Sequence, residues 1–277
     1  MTADILPLPP TMPRLPPLQR APLPAPGPWA ALGWIALYFV MQAVGSGVIA
    51  LALGVVTGEL HSWQGLLHSG RIIQALMRQP GMQALLVMLT LGLAAVLILL
   101  LVRRRWATLW SLARPPGLGF NRPAQTWFLL LAVAVGLSAP MLGGWLTHLL
   151  AQGQTVTQDI QQLGANTPLA WRIPLAMMVV SLGPLVEELL FRGLLLSALL
   201  QRWRTGVAVA LSSLIFALVH LPGLQWQWFA LPDLLLLALA LAWLRLRSAS
   251  IWPGVVAHGA NNLLAMAAWF VAVHPPH

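Results

Sequence analysis

From Trp29 to Val56 the chain runs without a single charged side chain, and no other feature constrains its fold as tightly. A helix needs about 20 apolar residues to cross the hydrocarbon core of a bilayer. Similar runs recur along the chain. The second extends from Gln83 to Val102. The third extends from Thr126 to Leu150, with Pro140 inside it. The fourth extends from Ile173 to Leu200, with Gly183-Pro184 as the expected kink. Three more follow: Val207 to Leu221, Phe229 to Leu244 and Ile251 to Val273. The first two of these three are short and could instead form a re-entrant hairpin. The expected fold class is all-α: a polytopic helical membrane bundle of about seven transmembrane spans. Composition agrees, because only 8% of the 277 residues are charged and 58% are hydrophobic. Soluble domains carry about 25% charged residues. A chain this poor in charge cannot clothe a globule, but lipid can solvate it.

Between the runs lie segments of other character. Residues 1–28 hold ten of the 23 prolines, a density that excludes a helix and predicts a disordered tail. No apolar run follows a short basic start, so the tail does not read as a signal peptide. Residues 57–82 are amphipathic, with Leu66, Leu67, Ile73, Leu76 and Met77, and are expected to lie along the interface. Residues 151–169 read as a polar loop.

The net charge of +9 does not indicate nucleic acid. All fifteen basic residues are arginines at the ends of apolar runs, and no basic stripe is interleaved with aromatics. Arg103, Arg104, Arg105, Arg114 and Arg122 fill one connection, Arg202 and Arg204 a second, and Arg245 and Arg247 a third. Seven alternating spans put all three on the side of the tail's Arg14 and Arg20. The positive-inside bias then places the tail in the cytoplasm and the C-terminus outside. The absence of lysine suggests GC-rich coding and hence a bacterium, whose inner (cytoplasmic) membrane is the expected location. Cysteine is absent, which excludes disulfides and thiolate metal sites.

Two of only six acidic residues, Glu187 and Glu188, sit inside the fourth run, with Arg192 just beyond. Each such residue costs about 2.5–3.5 kcal/mol at a span centre on insertion scales, so by default it faces a cavity or a partner. Glu188 and Arg192 are four apart and share a helix face, so they can pair. Glu187 points about 100° away and stays free for proton transfer. A purely architectural ion pair is the bland alternative. His220 ends the fifth run, with Phe216 one turn earlier. His258 lies in the seventh, with Asn262 one turn later and Asn261 beside it. At about 1.5 Å per residue, Glu187 lies roughly 22 Å from Arg202, His220 roughly 24 Å from Arg204 and His258 roughly 16 Å from Arg247. One cluster drawn from three helices is therefore feasible. Such a cluster suits hydrolysis: Glu187 takes a proton from water, a histidine orients that water, and a histidine and an amide donate to the oxyanion. The same side chains, Glu187, His220 and His258, could instead bind zinc with an open water position. The residues alone do not decide between these schemes. H-E-x-x-H and G-x-S-x-G are both absent.

At these residues the chain resembles the CAAX-protease and bacteriocin-processing (CPBP, or Abi) family of intramembrane peptidases. The family's E-E-x-x-x-R is matched by Glu187, Glu188 and Arg192, its F-x-x-x-H by Phe216 and His220, and its H-x-x-x-N by His258 and Asn262. The resemblance implies a catalytic core over residues 170–273, preceded by spans and loops over 29–169. It implies endopeptidase activity on a peptide or membrane-protein segment within the lipid bilayer. The matched glutamate, Glu187, is implied as the base, with His220, His258 and Asn262 completing the site. Eukaryotic relatives trim prenylated CAAX tails, whereas a bacterium generally lacks such proteins and implies another substrate. Both a metalloprotease and a metal-free mechanism have been attached to the family; the metal-free one, with no cofactor, is expected here. The competing class is a non-proteolytic membrane protein, such as a bacteriocin immunity factor, a scaffold or a proton-coupled transporter, using the same polar cluster.

Overall fold

A computed structural model describes residues 25–56, 68–79, 81–156 and 158–271. Residues 1–24 of the expected tail and 57–67 of the expected amphipathic stretch lie outside these. Helix α1 (Pro28–Val56) opens on proline, which tolerates the first turn because its missing N–H has no partner there. Helix α2 (Ser69–Met77) buries Leu76 on one face, as the amphipathic pattern requires. Helix α3 (Met82–Arg105) ends on Arg103, Arg104 and Arg105, cations placed where the helix dipole favours them. Helix α4 (Trp127–Ala151) carries Pro140 internally and continues through it. Next come α5 (Asp159–Asn166), α6 (Leu169–Val180) and α7 (Leu182–Glu188). Helix α7 runs into a π-helical turn, Leu189–Leu195, and then into α8 (Leu196–Leu200). The chain finishes with α9 (Thr205–Leu218), α10 (Leu231–Ser248) and α11 (Trp252–Val271). Among the described residues there is no strand.

Among the described residues five segments are long and apolar enough to cross a membrane: Pro28–Val55, Met82–Arg105, Trp127–Ala151, Leu169–Leu200 and Trp228–Ser248. The protein is thus an all-α integral membrane protein, and five of the seven expected runs fall in these segments. The fifth expected run is helical only over the 14 residues of α9, about 21 Å at 1.5 Å per residue. The seventh is helix α11, whose middle carries His258, Asn261 and Asn262. The expected polar loop at 151–169 is also corrected. It contains α5, where Ile160 and Leu163 pack on Met266 and Trp269. Gln161 of α5 donates to the Ala265 carbonyl at 3.0 Å and accepts from Trp269 Nε1 at 3.0 Å.

Large apolar side chains such as Val44, Leu130, Met141 and Ile173 face outward, as lipid solvation demands. Buried charge is concentrated at few points. Arg245, expected as a loop arginine, is buried and donates to the Ala113 and Gly117 carbonyls, both at 2.7 Å. It therefore closes the connection between α3 and α4 instead of meeting solvent. Glu188, Arg192 and His258 are also buried and lie together.

Candidate active site

The segment that carries both glutamates is interrupted before them. Pro184 has no N–H to offer the Val180 carbonyl, and the helix breaks at Ser181, whose φ is −119° and ψ −68°. The kink expected at Gly183-Pro184 thus falls two residues earlier, where the missing bond is felt. The carbonyls of Val179 and Val180 sit at this break. Asn262 of α11 donates its Nδ2 to the Val179 carbonyl at 2.9 Å. Gly259 lies against the Val180 carbonyl so closely that a Cβ there would need the backbone to shift.

Beyond the break the two glutamates divide as their helix positions require. Glu188 is wholly buried and accepts from Arg192 Nη1 at 2.9 Å. The Arg192 guanidinium also donates from Nη2 to the Ala238 carbonyl at 3.1 Å and lies 4.3 Å above the centroid of the Phe216 ring. Glu187 is 19% exposed. Its Oε2 lies 3.6 Å from His220 Nε2 and 3.7 Å from His258 Nε2. Three helical segments therefore bring together the six residues singled out in the sequence.

Each imidazole is oriented by its other nitrogen. His220 Nδ1 is 2.7 Å from the Phe216 carbonyl, which can only accept, so Nδ1 carries a proton. His258 Nδ1 is 3.3 Å from Glu188 Oε1; that oxygen already accepts from Arg192, and a carboxylate again only accepts. In the neutral rings both Nε2 atoms then present lone pairs toward Glu187, with tautomers assigned from their partners. Phe216 thus fixes His220 through its backbone, supports Arg192 with its ring face, and meets the His258 ring edge-on at 5.6 Å. Ser212, one turn before it, donates to the Phe191 carbonyl at 3.2 Å and ties α9 to the π-helical turn.

Some contributors were missed in the sequence. Gly254 lies one turn before His258, and a Cβ there would meet Glu188 Oε2 at 2.6 Å. The carboxylate fits only because this glycine is bare, a small-residue signal of close helix approach. Beside the cluster opens a cavity of about 360 Å³, bounded by Glu187, His220, Asn262 and Pro184 and by Tyr38 and Gln42 of α1. The last two carry no motif; their i, i+4 spacing in an apolar run was the available clue. Asp233 stands in the first turn of α10 after Pro232 and against Gly143.

Among the described residues no group of three His, Asp or Glu side chains is arranged to hold a metal ion. Residues 169–264 match a family model described as Type II CAAX prenyl endopeptidase Rce1-like. No curated protein and no solved structure matches the chain.

Proposed function

With residues 169–264 forming an Rce1-like segment of the type II CAAX prenyl endopeptidase kind, we propose that the protein is an intramembrane endopeptidase in which Glu187 activates water. The observation that carries this reading is the convergence of both imidazole Nε2 atoms on one Glu187 oxygen. At 3.6 and 3.7 Å these contacts are too long for direct hydrogen bonds. In its unprotonated state the cluster is three acceptors facing one another, so it is short of a proton. A water donating to Glu187 Oε2 and to a neighbouring Nε2 turns its own lone pairs toward the cavity. As its oxygen attacks a peptide carbonyl, its proton passes to Glu187. The C–N bond then breaks when the proton is delivered to the leaving amine. The Asn262 amide has one N–H committed to Val179 and a second left to donate to the oxyanion. Glu188 and Arg192 act through His258, holding its ring with Nε2 toward the base.

The substrate is a peptide or a membrane-protein segment, the latter entering from the bilayer. The test pairs a quenched-fluorescent peptide bearing a farnesylated CAAX terminus with a search of the cellular peptide pool for new termini. Both compare wild type with Glu187→Ala. Glu187-dependent cleavage in either is expected. Identical peptides and no hydrolysis would transfer the cluster to a non-proteolytic role, as an immunity factor, scaffold or transporter.

A further inference from the structure

Tyr38 is the chain's sole tyrosine, and it stands in the wrong place for an interfacial anchor. Tyrosines of that class sit at the headgroup level. Tyr38 follows the start of α1 by ten residues, about 15 Å at 1.5 Å per residue, near the middle of a hydrocarbon core of about 30 Å. Its side chain is only 1% exposed, yet it borders the cavity that holds Glu187, His220 and Asn262. Gln42, one turn later on the same face, borders the same cavity. Neither residue takes part in the side-chain hydrogen bonds that hold the cluster together, and both stand on the cavity wall beside Glu187. A phenol and an amide on a cavity wall inside a membrane bundle are placed to bond a polar group that enters it. No packing need explains Gln42, since an apolar residue of its size would fill the same space.

Both groups become intelligible once something polar occupies the cavity. A peptide backbone offers alternating N–H donors and carbonyl acceptors. A glutamine amide can meet such a unit with one donor and one acceptor, and a phenol can donate to a carbonyl. We propose that Tyr38 and Gln42 form a substrate-binding wall on α1, hydrogen-bonding the backbone of an extended peptide that lies across the cavity with its scissile carbonyl toward Glu187. This rests on the peptidase reading above, but it assigns function to a helix outside the segment that resembles the endopeptidase family.

The test uses full-length protein in detergent and a fluorescein-labelled peptide with a farnesylated CAAX terminus, beside its unprenylated counterpart. Binding is read by anisotropy in the Glu187→Gln background, so that no turnover is needed. Tyr38→Phe and Gln42→Leu remove the polar groups while keeping the volume. Each is expected to weaken binding of both peptides by about tenfold, the effect of one net hydrogen bond of roughly 1.5 kcal/mol, with a melting temperature equal to or above that of the parent. In the Glu187 background KM should rise by more than kcat falls. Unchanged binding, no measurable binding, or weaker binding with a matching fall in melting temperature would each overturn the assignment. Glu187-dependent hydrolysis with unaltered binding in both variants sinks this wall alone. Tyr38- and Gln42-dependent binding without Glu187-dependent hydrolysis sinks the peptidase reading and leaves the wall standing.

Discussion

Glu187 and Glu188 are neighbours in sequence and occupy opposite environments. Glu188 is enclosed by Arg192, His258 and the bare backbone of Gly254, whereas Glu187 faces the cavity. Glu187→Gln keeps the shape and removes the proposed base, so hydrolysis should disappear while the melting temperature barely moves. Glu188→Gln leaves Arg192 buried without its charge partner, and breaking a buried pair typically costs about 3–5 kcal/mol. Thermal unfolding in detergent separates the two variants, and equal shifts would reverse the assignment. A second contrast lies among the glycines. Gly254→Ala forces a methyl group to 2.6 Å from Glu188 Oε2, an overpacking that should cost about 1–3 kcal/mol and slow hydrolysis by displacing His258. Gly144 has nothing within 4 Å of its would-be Cβ, so Gly144→Ala should melt no lower than wild type. A Gly254→Ala protein that melts and cleaves like wild type would show that the carboxylate has room to spare.

At the scale of elements, the break before α7 does more than bend a span. It leaves the Val179 carbonyl to Asn262 and the Val180 carbonyl against Gly259, joining α6 to α11 where the site needs them close. Pro184→Ala restores an N–H that can bond Val180 and favours one continuous helix. The expected result is a melting temperature equal to or above that of wild type, with hydrolysis reduced by an order of magnitude or more, since a shift of about 1 Å can cost 10²-fold. Unchanged hydrolysis would show that the break is not needed. The break was legible as Gly183-Pro184, although the interruption itself appears at Ser181, because proline withholds a bond from a carbonyl four residues earlier. Helix α5 was not legible. Eight residues with one apolar pair are too few to display a period, and the helix is stabilised by Trp269, 108 residues from Gln161.

The whole molecule poses questions of sidedness and of chemistry. If the arginine bias sets the orientation, and if α9 with the turns after it and α11 both cross, residue 104 lies in the cytoplasm and the end of α11 outside. Reporter fusions at residue 104 and after residue 271 should therefore report opposite sides. The same side for both would reduce the crossings to an even number between them. Hydrolysis should survive prolonged chelation, and purified active protein should contain no stoichiometric zinc. Activity lost on chelation and regained with zinc would return Glu187, His220 and His258 to the role of ligands.

Local sequence determined what local forces decide. Apolar run length settled the helices and the membrane, because a backbone in lipid must satisfy itself. The i, i+4 relation settled the Glu188–Arg192 pair and the freedom of Glu187, because helix rotation is the same in every context. Tertiary structure alone decided the rest. It aimed both Nε2 atoms at one oxygen through the Phe216 carbonyl and Glu188, committed half of the Asn262 amide to Val179, drew Arg245 out of its loop, and brought Tyr38 and Gln42 across from α1. Apart from the one-turn Phe216–His220 contact, these relations join residues tens of positions apart or more, and no periodicity within a single helix encodes which face of another helix it will meet.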